Sequence, residues 1–112
     1  MGGGKTELLF SGQALSNAYV YNKKETLGYG VVSIVVDAYG SISGVTYIVR
    51  GYPSLAAPSY YRTIKSDTAI VSGDVHYLVL SDPYEQIDVG VKSTGTNVSG
   101  RVTVVVTGKR RT

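Results

Sequence analysis

The sequence predicts an all-β fold, a single antiparallel β-sandwich of jelly-roll or immunoglobulin-like type with seven to nine strands. The 112 residues include 10 Tyr and 14 Gly but only 1 Phe and 3 Pro, a composition typical of β structure. Short runs of β-branched and aromatic residues alternate with turn-forming residues along the chain. We find no capped segment of more than one turn with apolar residues at helical spacing.

The first part of the chain is predicted to contain an arm, two short strands and a loop. Residues 1–6 include three consecutive glycines and are expected to form a flexible arm. The β-rich runs Glu7–Phe10 and Ala18–Tyr21 predict strands, and Ser11-Gly12 is expected to close the first of them. The polar, then glycine-rich segment Asn22–Gly30 predicts a loop.

The segment from residue 28 to residue 52 is the strongest signal in the chain. Val31–Val36 and Ser43–Val49 are β-branched runs, and Asp37–Ser41 joins them. Gly40 allows a positive φ in this short connection, so the two runs are predicted to pair as a hairpin. Apolar residues occupy both faces of the first run, which predicts cover from a second sheet or a neighbouring subunit.

The long break after this segment is Gly51–Ser59. Pro53 and Pro58 each lack a backbone donor, so a strand is not expected there, and long ordered loops are often contact loops. Ser66-Asp67 is a predicted turn. Further strands are predicted at Tyr60–Ile64, Thr68–Val71, Val75–Leu80, Gln86–Lys92 and Arg101–Thr107.

The strand at Gln86–Lys92 shows a clear period of two. Its odd-numbered positions from 87 to 91 are Ile or Val, whereas its even-numbered positions include Asp88 and Lys92. The alternation predicts one dry face and one wet face, with Asp88 on the wet face.

The length predicts one domain, with the sandwich at residues 7–108, the arm at 1–6 and a basic tail at 109–112. The chain has no Cys and a single His, so we expect no disulfide, no metal site and no cofactor. Apolar runs fall short of the ~18 residues that a membrane span needs, and the N-terminus lacks the apolar core of a secretory signal. We therefore expect no membrane partner.

No motif predicts catalysis, so we expect no catalytic residues and no enzyme. Gly2–Thr6 ends like a phosphate-binding loop but lacks the earlier glycine and the preceding strand. Ser72, Asp74 and His76 lie close in sequence without the sharp nucleophile turn of hydrolases. An enzyme remains an alternative only if His76 lies in a pocket beside a carboxylate.

The strands carry more apolar and tyrosine surface than a small monomer can cover, and uncovered apolar patches usually indicate a partner. We therefore expect a self-associating homo-oligomer. The candidate interface residues surround the long loop and are Tyr52, Leu55, Tyr60 and Tyr61.

The alternative partner is a nucleic acid or another polyanion. The formal charge is +3, and tyrosines beside cations can stack bases. The candidate polyanion-binding residues are Lys109, Arg110 and Arg111 in the tail, together with Lys23 and Lys24 near the tyrosines. The strands themselves carry few cations, so this function is the second choice.

The C-terminal third contains YEQIDVGVK at Tyr84–Lys92 and, after a polar turn, GRVTVVVTG at Gly100–Gly108, followed by a basic end. This strand pattern resembles small β-sandwich virion proteins of tailed phages. The resemblance implies a non-enzymatic structural role in the virion, as a capsid decoration protein or a tail or head-completion component. It also implies a trimer or ring that binds a larger protein lattice such as a capsid or tail.

Overall fold

The computed structural model describes residues 4–39, 45–71, 73–81, 84–93 and 101–110, and its regular elements are all strands. These residues contain no helix of the length and apolarity that crossing a membrane requires. Eight strands are described: β1 (Gly4–Ala14), β2 (Val20–Glu25), β3 (Tyr29–Tyr39), β4 (Val45–Tyr52), β5 (Arg62–Ile70), β6 (Val75–Leu80), β7 (Gln86–Ser93) and β8 (Arg101–Arg110).

The strands form two antiparallel four-stranded sheets. Sheet 1 has the order β1-β8-β3-β6, and sheet 2 has the order β2-β7-β4-β5. Among the described strands, only β4 and β5 are both consecutive and paired; every other connection crosses between the sheets. Eight strands wound in this way form a jelly roll, so the all-β prediction is confirmed and the immunoglobulin-like alternative does not apply.

The core lies between the two sheets. Inward-facing positions carry mainly Val and Ile, with Phe10, Ala38 and Tyr47 among them, and they follow the period of two along each strand. Fully buried members include Ile34, Val36, Val45, Tyr47, Val49, Val89, Val102, Val104 and Val106, each 0 % exposed. Each such side chain contributes about 1.5–3 kcal/mol when it is removed from water, so these valines supply much of the stability of the sandwich.

The predicted central hairpin is wrong. β3 pairs with β8 and β6, whereas β4 pairs with β7 and β5. β3 and β4 each have one buried face. Because the two strands lie in opposite sheets, these two faces pack against each other in the core. A short glycine-containing link marks a change of direction, which serves a crossover between sheets as well as a hairpin. The link itself, residues 40–44, lies outside the described residues.

Two predicted turns are β-bulges within continuous strands. β1 continues through Ser11 and Gly12, with register shifts against β8 and a φ of 60° at Gly12. β5 runs without a break through Ser66 and Asp67, and its register against β4 shifts twice near Val49. A bulge inserts an extra residue and bends the strand without ending it, so turn-type residues inside a strand do not require a turn.

Three polar segments that were predicted to be arm, loop and tail also join strands. Residues 4–6 pair with β8, with Gly4 opposite Lys109. Residues 22–25, predicted as loop, form most of β2, and β8 extends to Arg110. Neighbouring strands offer backbone partners whatever the side chains are, and composition does not reveal them. Residues 1–3, 111 and 112 lie outside the described residues.

Candidate interaction surfaces

The predicted interface residues divide into three exposed side chains and one buried one. Leu55 is 37 % exposed, Tyr60 is 62 % and Tyr61 is 43 %, so all three can contact a partner. Tyr52 is only 4 % exposed. The prediction that Tyr52 offers contact area is therefore corrected: its ring lies beneath that of Tyr61, with the centroids 5.7 Å apart.

Tyr52 is part of a buried polar network on the outer face of sheet 2. Arg50 donates two hydrogen bonds to Asp88, from Nε to Oδ1 at 2.9 Å and from Nη2 to Oδ2 at 2.7 Å. The Tyr52 hydroxyl donates to the same Oδ2 at 2.8 Å. Neighbouring positions on β4 and β7 create this arrangement, since Arg50 lies directly opposite Asp88.

Asp88 is 0 % exposed, so the prediction that it faces water is wrong. A carboxylate can remain charged inside a protein when an opposite charge and hydrogen bonds replace its hydration. The pKa of Arg50 is raised, chiefly by its hydrogen bond to Asp88. Burial raises the pKa of Tyr52 to about 12, and the hydrogen bond to Asp88 adds to the increase.

Tyrosine rings cover this network from the solvent side. The guanidinium carbon of Arg50 lies 4.2 Å from the ring centroid of Tyr21 and 4.5 Å from that of Tyr61. Tyr21 can approach the sheet because Gly90 lies beneath it: a Cβ at position 90 would lie 2.5 Å from Tyr21 Cε1. We call Tyr21, Arg50, Tyr52, Tyr61 and Asp88 the tyrosine–arginine cluster.

Further cations lie over tyrosine rings on the same face. Lys23 Nζ is 5.5 Å from the Tyr52 centroid, and Lys92 Nζ is 4.8 Å from the Tyr19 centroid. The Tyr19 hydroxyl donates a hydrogen bond to Asp67. The pKa of Tyr19 is raised, chiefly by burial and secondly by this hydrogen bond. These contacts fix the rings of the outer face, so it presents a largely preformed surface.

The structure separates the basic tail residue Lys109 from the tyrosines of the long loop. Lys109 is exposed in β8 of sheet 1, whereas Tyr52, Tyr60 and Tyr61 lie in or beside sheet 2. Lys24 is buried and pairs with Glu7 at 3.2 Å. The side chain of Arg110 and the whole of Arg111 lie outside the described residues. Polyanion binding through the tail stays a prediction, and the tyrosine that lies beside the tail is Tyr29, which is opposite Arg110 in the β3–β8 ladder.

The outer face of sheet 1 carries an apolar row that was not predicted from the sequence. The row crosses all four strands through the paired residues Leu8, Val105, Val35 and Tyr77. Leu8 is 56 % exposed and Tyr77 is 65 %. The outward positions of β3 and β8 also carry Ser33, Thr103 and Thr107, so no strand pattern marks the row; only the strand order shows that its four apolar residues align.

Among the described residues, His76 makes its side-chain hydrogen bond with a core tyrosine and not with a carboxylate. Its Nδ1 lies 2.7 Å from the hydroxyl of Tyr47, whose ring is fully buried. Within the described ranges, no three His, Cys, Asp or Glu side chains group as metal ligands. In the same ranges every buried side-chain nitrogen or oxygen has a hydrogen-bond partner.

No family model matches the sequence, and no curated protein matches it. Solved structures do match the fold. A chain of the disulfide-linked pili of Bacillus endospore appendages has a TM-score of 0.63 at 5 % identity, covering 100 % of this chain and 92 % of that one. The SPBc2 prophage-derived protein YomS has a TM-score of 0.59 at 10 % identity, covering 97 % and 95 %.

A protein of the infectious bursal disease virus Gx strain has a TM-score of 0.60 at 8 % identity. The alignment covers 97 % of this chain and 32 % of the viral one, so this chain spans about a third of its length. At these identities the likeness establishes the fold alone, and one fold can serve many functions. The resemblance to phage proteins is thus supported at the level of architecture.

Proposed function

We propose that this protein is a non-enzymatic structural subunit that self-associates within a virion, as a capsid decoration protein or a tail-associated component. The observation that carries the proposal is the apolar row Leu8–Val105–Val35–Tyr77 across the outer face of sheet 1. Leu8 and Tyr77 are exposed and Val35 and Val105 are half-buried, and exposed apolar surface on a sheet face often contacts a partner.

A second surface lies at the opposite sheet, where Leu55, Tyr60 and Tyr61 are exposed. Tyr61 is held by Arg50, so it contacts a partner with little loss of side-chain entropy. Tyrosine is enriched at interfaces because its ring is apolar and its hydroxyl is polar. Two surfaces on opposite sides of one small subunit suit a repeating assembly. The pilus and virus neighbours support this role by fold analogy only.

The loop surface is tested with the double variant Leu55→Ala/Tyr60→Ala. Both side chains are exposed, so their removal leaves the tyrosine–arginine cluster and the core intact. We expect light scattering to show a smaller particle than for the wild type, with an unchanged β-type circular dichroism spectrum. Tyr61→Ala is unsuitable as a first test, because it would also uncover Arg50.

The matched control is Val71→Ala, which removes a side chain that is 54 % exposed and lies beyond the end of β5. We expect this variant to retain the wild-type particle mass. An unchanged mass for the double variant would remove Leu55 and Tyr60 from the interface. A wild-type particle with the mass of one chain would contradict self-association itself.

A further inference from the structure

The four edge strands of the sandwich differ in how well they resist pairing with another strand. Edge strands present free backbone groups, and proteins commonly protect them with charges, prolines or bulges. The edges are β1 and β6 in sheet 1 and β2 and β5 in sheet 2. β1 and β5 carry bulges. β2 carries Lys23, Lys24 and Glu25, and β5 also carries Arg62, Lys65 and Asp67.

Within its six residues, β6 has none of these protections. Its sequence, Val75–Leu80, contains no Lys, Arg, Asp, Glu or Pro, and its register against β3 is regular over all six residues. Val75 and Val79 are each 56 % exposed and Tyr77 is 65 % exposed. In the part of the chain that the structure describes, β6 is thus the unprotected edge.

The outward backbone groups of β6 can be identified from the ladder. Ala38 N–H donates to Asp74 C=O at 3.3 Å, and Ala38 C=O accepts from Gly73 N–H at 2.8 Å, which is the pattern of a bulge directly before β6. Beyond this bulge, hydrogen-bonded pairs recur at every second residue of an antiparallel ladder. His76, Leu78 and Leu80 therefore bond toward β3. The backbone N–H and C=O groups of Val75, Tyr77 and Val79 point away from the sheet.

We propose that β6 pairs antiparallel with β6 of a second copy of this chain, across a two-fold axis at Tyr77. In this register Tyr77 lies opposite Tyr77 of the other copy, and Val75 lies opposite Val79. The outward groups of these three residues then form the reciprocal hydrogen bonds of a closed, isologous interface. The two copies of sheet 1 become one eight-stranded sheet.

A second copy fits this edge better than an unrelated strand for two reasons. The register places no like charges opposite each other, because β6 is uncharged and Asp74 falls opposite Leu80. The pairing also continues the apolar row Leu8–Val105–Val35–Tyr77 directly into its symmetry copy, with two tyrosines meeting at the axis. Aromatic cross-strand pairs of this kind stabilise antiparallel sheets.

This pairing deepens the proposed self-association but does not depend on the loop surface. The experiment is therefore made in the Leu55→Ala/Tyr60→Ala background, where the loop contact is absent, and the mass is measured by sedimentation velocity. We expect that background protein to be a dimer, and Tyr77→Lys and Tyr77→Glu each to halve the mass. An equimolar mixture of the two should restore the dimer, because position 77 faces itself across the axis.

The matched control is Leu27→Lys, which places the same charge at a position that is 57 % exposed and lies between β2 and β3, outside the apolar row and the loop surface. It should remain a dimer. A second pair of variants tests the register: Val75→Lys/Val79→Lys should be monomeric, whereas Val75→Lys/Val79→Glu should dimerise. If the Tyr77 variants fail to fold, these two double variants test the β6–β6 pairing in their place.

Three results would overturn the inference. One is a monomeric background protein at all concentrations. Another is a dimer whose mass is unchanged by Tyr77→Lys, just as it is unchanged by the control Leu27→Lys. The last is a mixture of the Lys and Glu variants that stays monomeric, as expected if β6 takes up an unrelated strand.

Discussion

At the scale of single residues, the Arg50–Asp88 ion pair lies on the outer face of sheet 2, and yet Asp88 is completely buried. Asp88 sits at a position that the period of two along β7 gives to solvent. Tyr21 and Tyr61, which come from other parts of the chain, cover that position through Arg50. The cover depends on strand order and on the absence of a side chain at Gly90. Neither can be read from one strand.

Asp88→Asn is expected to lower the free energy of unfolding by about 3 kcal/mol, because it leaves the Arg50 charge without its carboxylate. The loss is at the lower end for a broken buried pair, since the Arg50 side chain remains 16 % exposed. Urea unfolding measures this loss. The matched control is Asp74→Asn at an exposed position, which should change the free energy of unfolding by less than about 0.5 kcal/mol. A loss for Asp88→Asn no larger than the control's would contradict the structural role of the pair.

Tyr52 makes stability depend on pH in the alkaline range. Its pKa is raised from 10.0 to about 12 by burial and by Asp88, so the folded state holds the phenol proton more tightly than the unfolded state. The stabilisation is complete below pH 10 and is lost as the pH rises from 10 to 12.

We therefore expect the stability advantage of the wild type over Tyr52→Phe to shrink by about 2–3 kcal/mol across that interval. Urea unfolding at several pH values measures the difference, and Tyr60→Phe, at an exposed position, serves as the control. A difference between wild type and Tyr52→Phe that stays constant from pH 10 to 12 would contradict the assignment.

At the scale of elements, sequence pattern locates strands better than it locates their partners. The prediction of Val75–Leu80 is confirmed at both ends as β6, and Gln86–Lys92 is confirmed within one residue as β7. Turn-type residues mislead at Ser11-Gly12 and Ser66-Asp67, where bulges absorb the extra residue. The wrong prediction of a β3–β4 hairpin has the same origin. The residues of the link determine only that the chain reverses direction, whereas packing of the core determines which sheet the next strand joins.

Three strand glycines show why tyrosine is so frequent in these elements. Tyr21 packs over Gly90, Tyr29 over Gly108 and Tyr84 over Gly51, each where a Cβ would collide with the ring. An aromatic ring over a strand glycine restores packing that the missing side chain would leave empty. Part of the tyrosine content therefore belongs to the fold of the subunit, and only the exposed part is free for partners.

At the scale of the whole molecule, the sequence was sufficient for the fold class but only partly sufficient for the candidate surfaces. Composition and strand length predict a sandwich, and the excess of Val and Tyr predicts uncovered surface. Leu55, Tyr60 and Tyr61 are exposed as an interface requires, whereas Tyr52 is not. The apolar row of sheet 1 requires three strand registers at once, and no local pattern contains them.

The central claim is that this chain is an assembly subunit, with more apolar surface than one copy can cover. Sedimentation velocity of the unmodified protein across a wide range of concentrations tests it most directly. The account predicts species heavier than the 11.9 kDa chain, with the heavier fraction growing with concentration. A single species of 11.9 kDa at every concentration would contradict it.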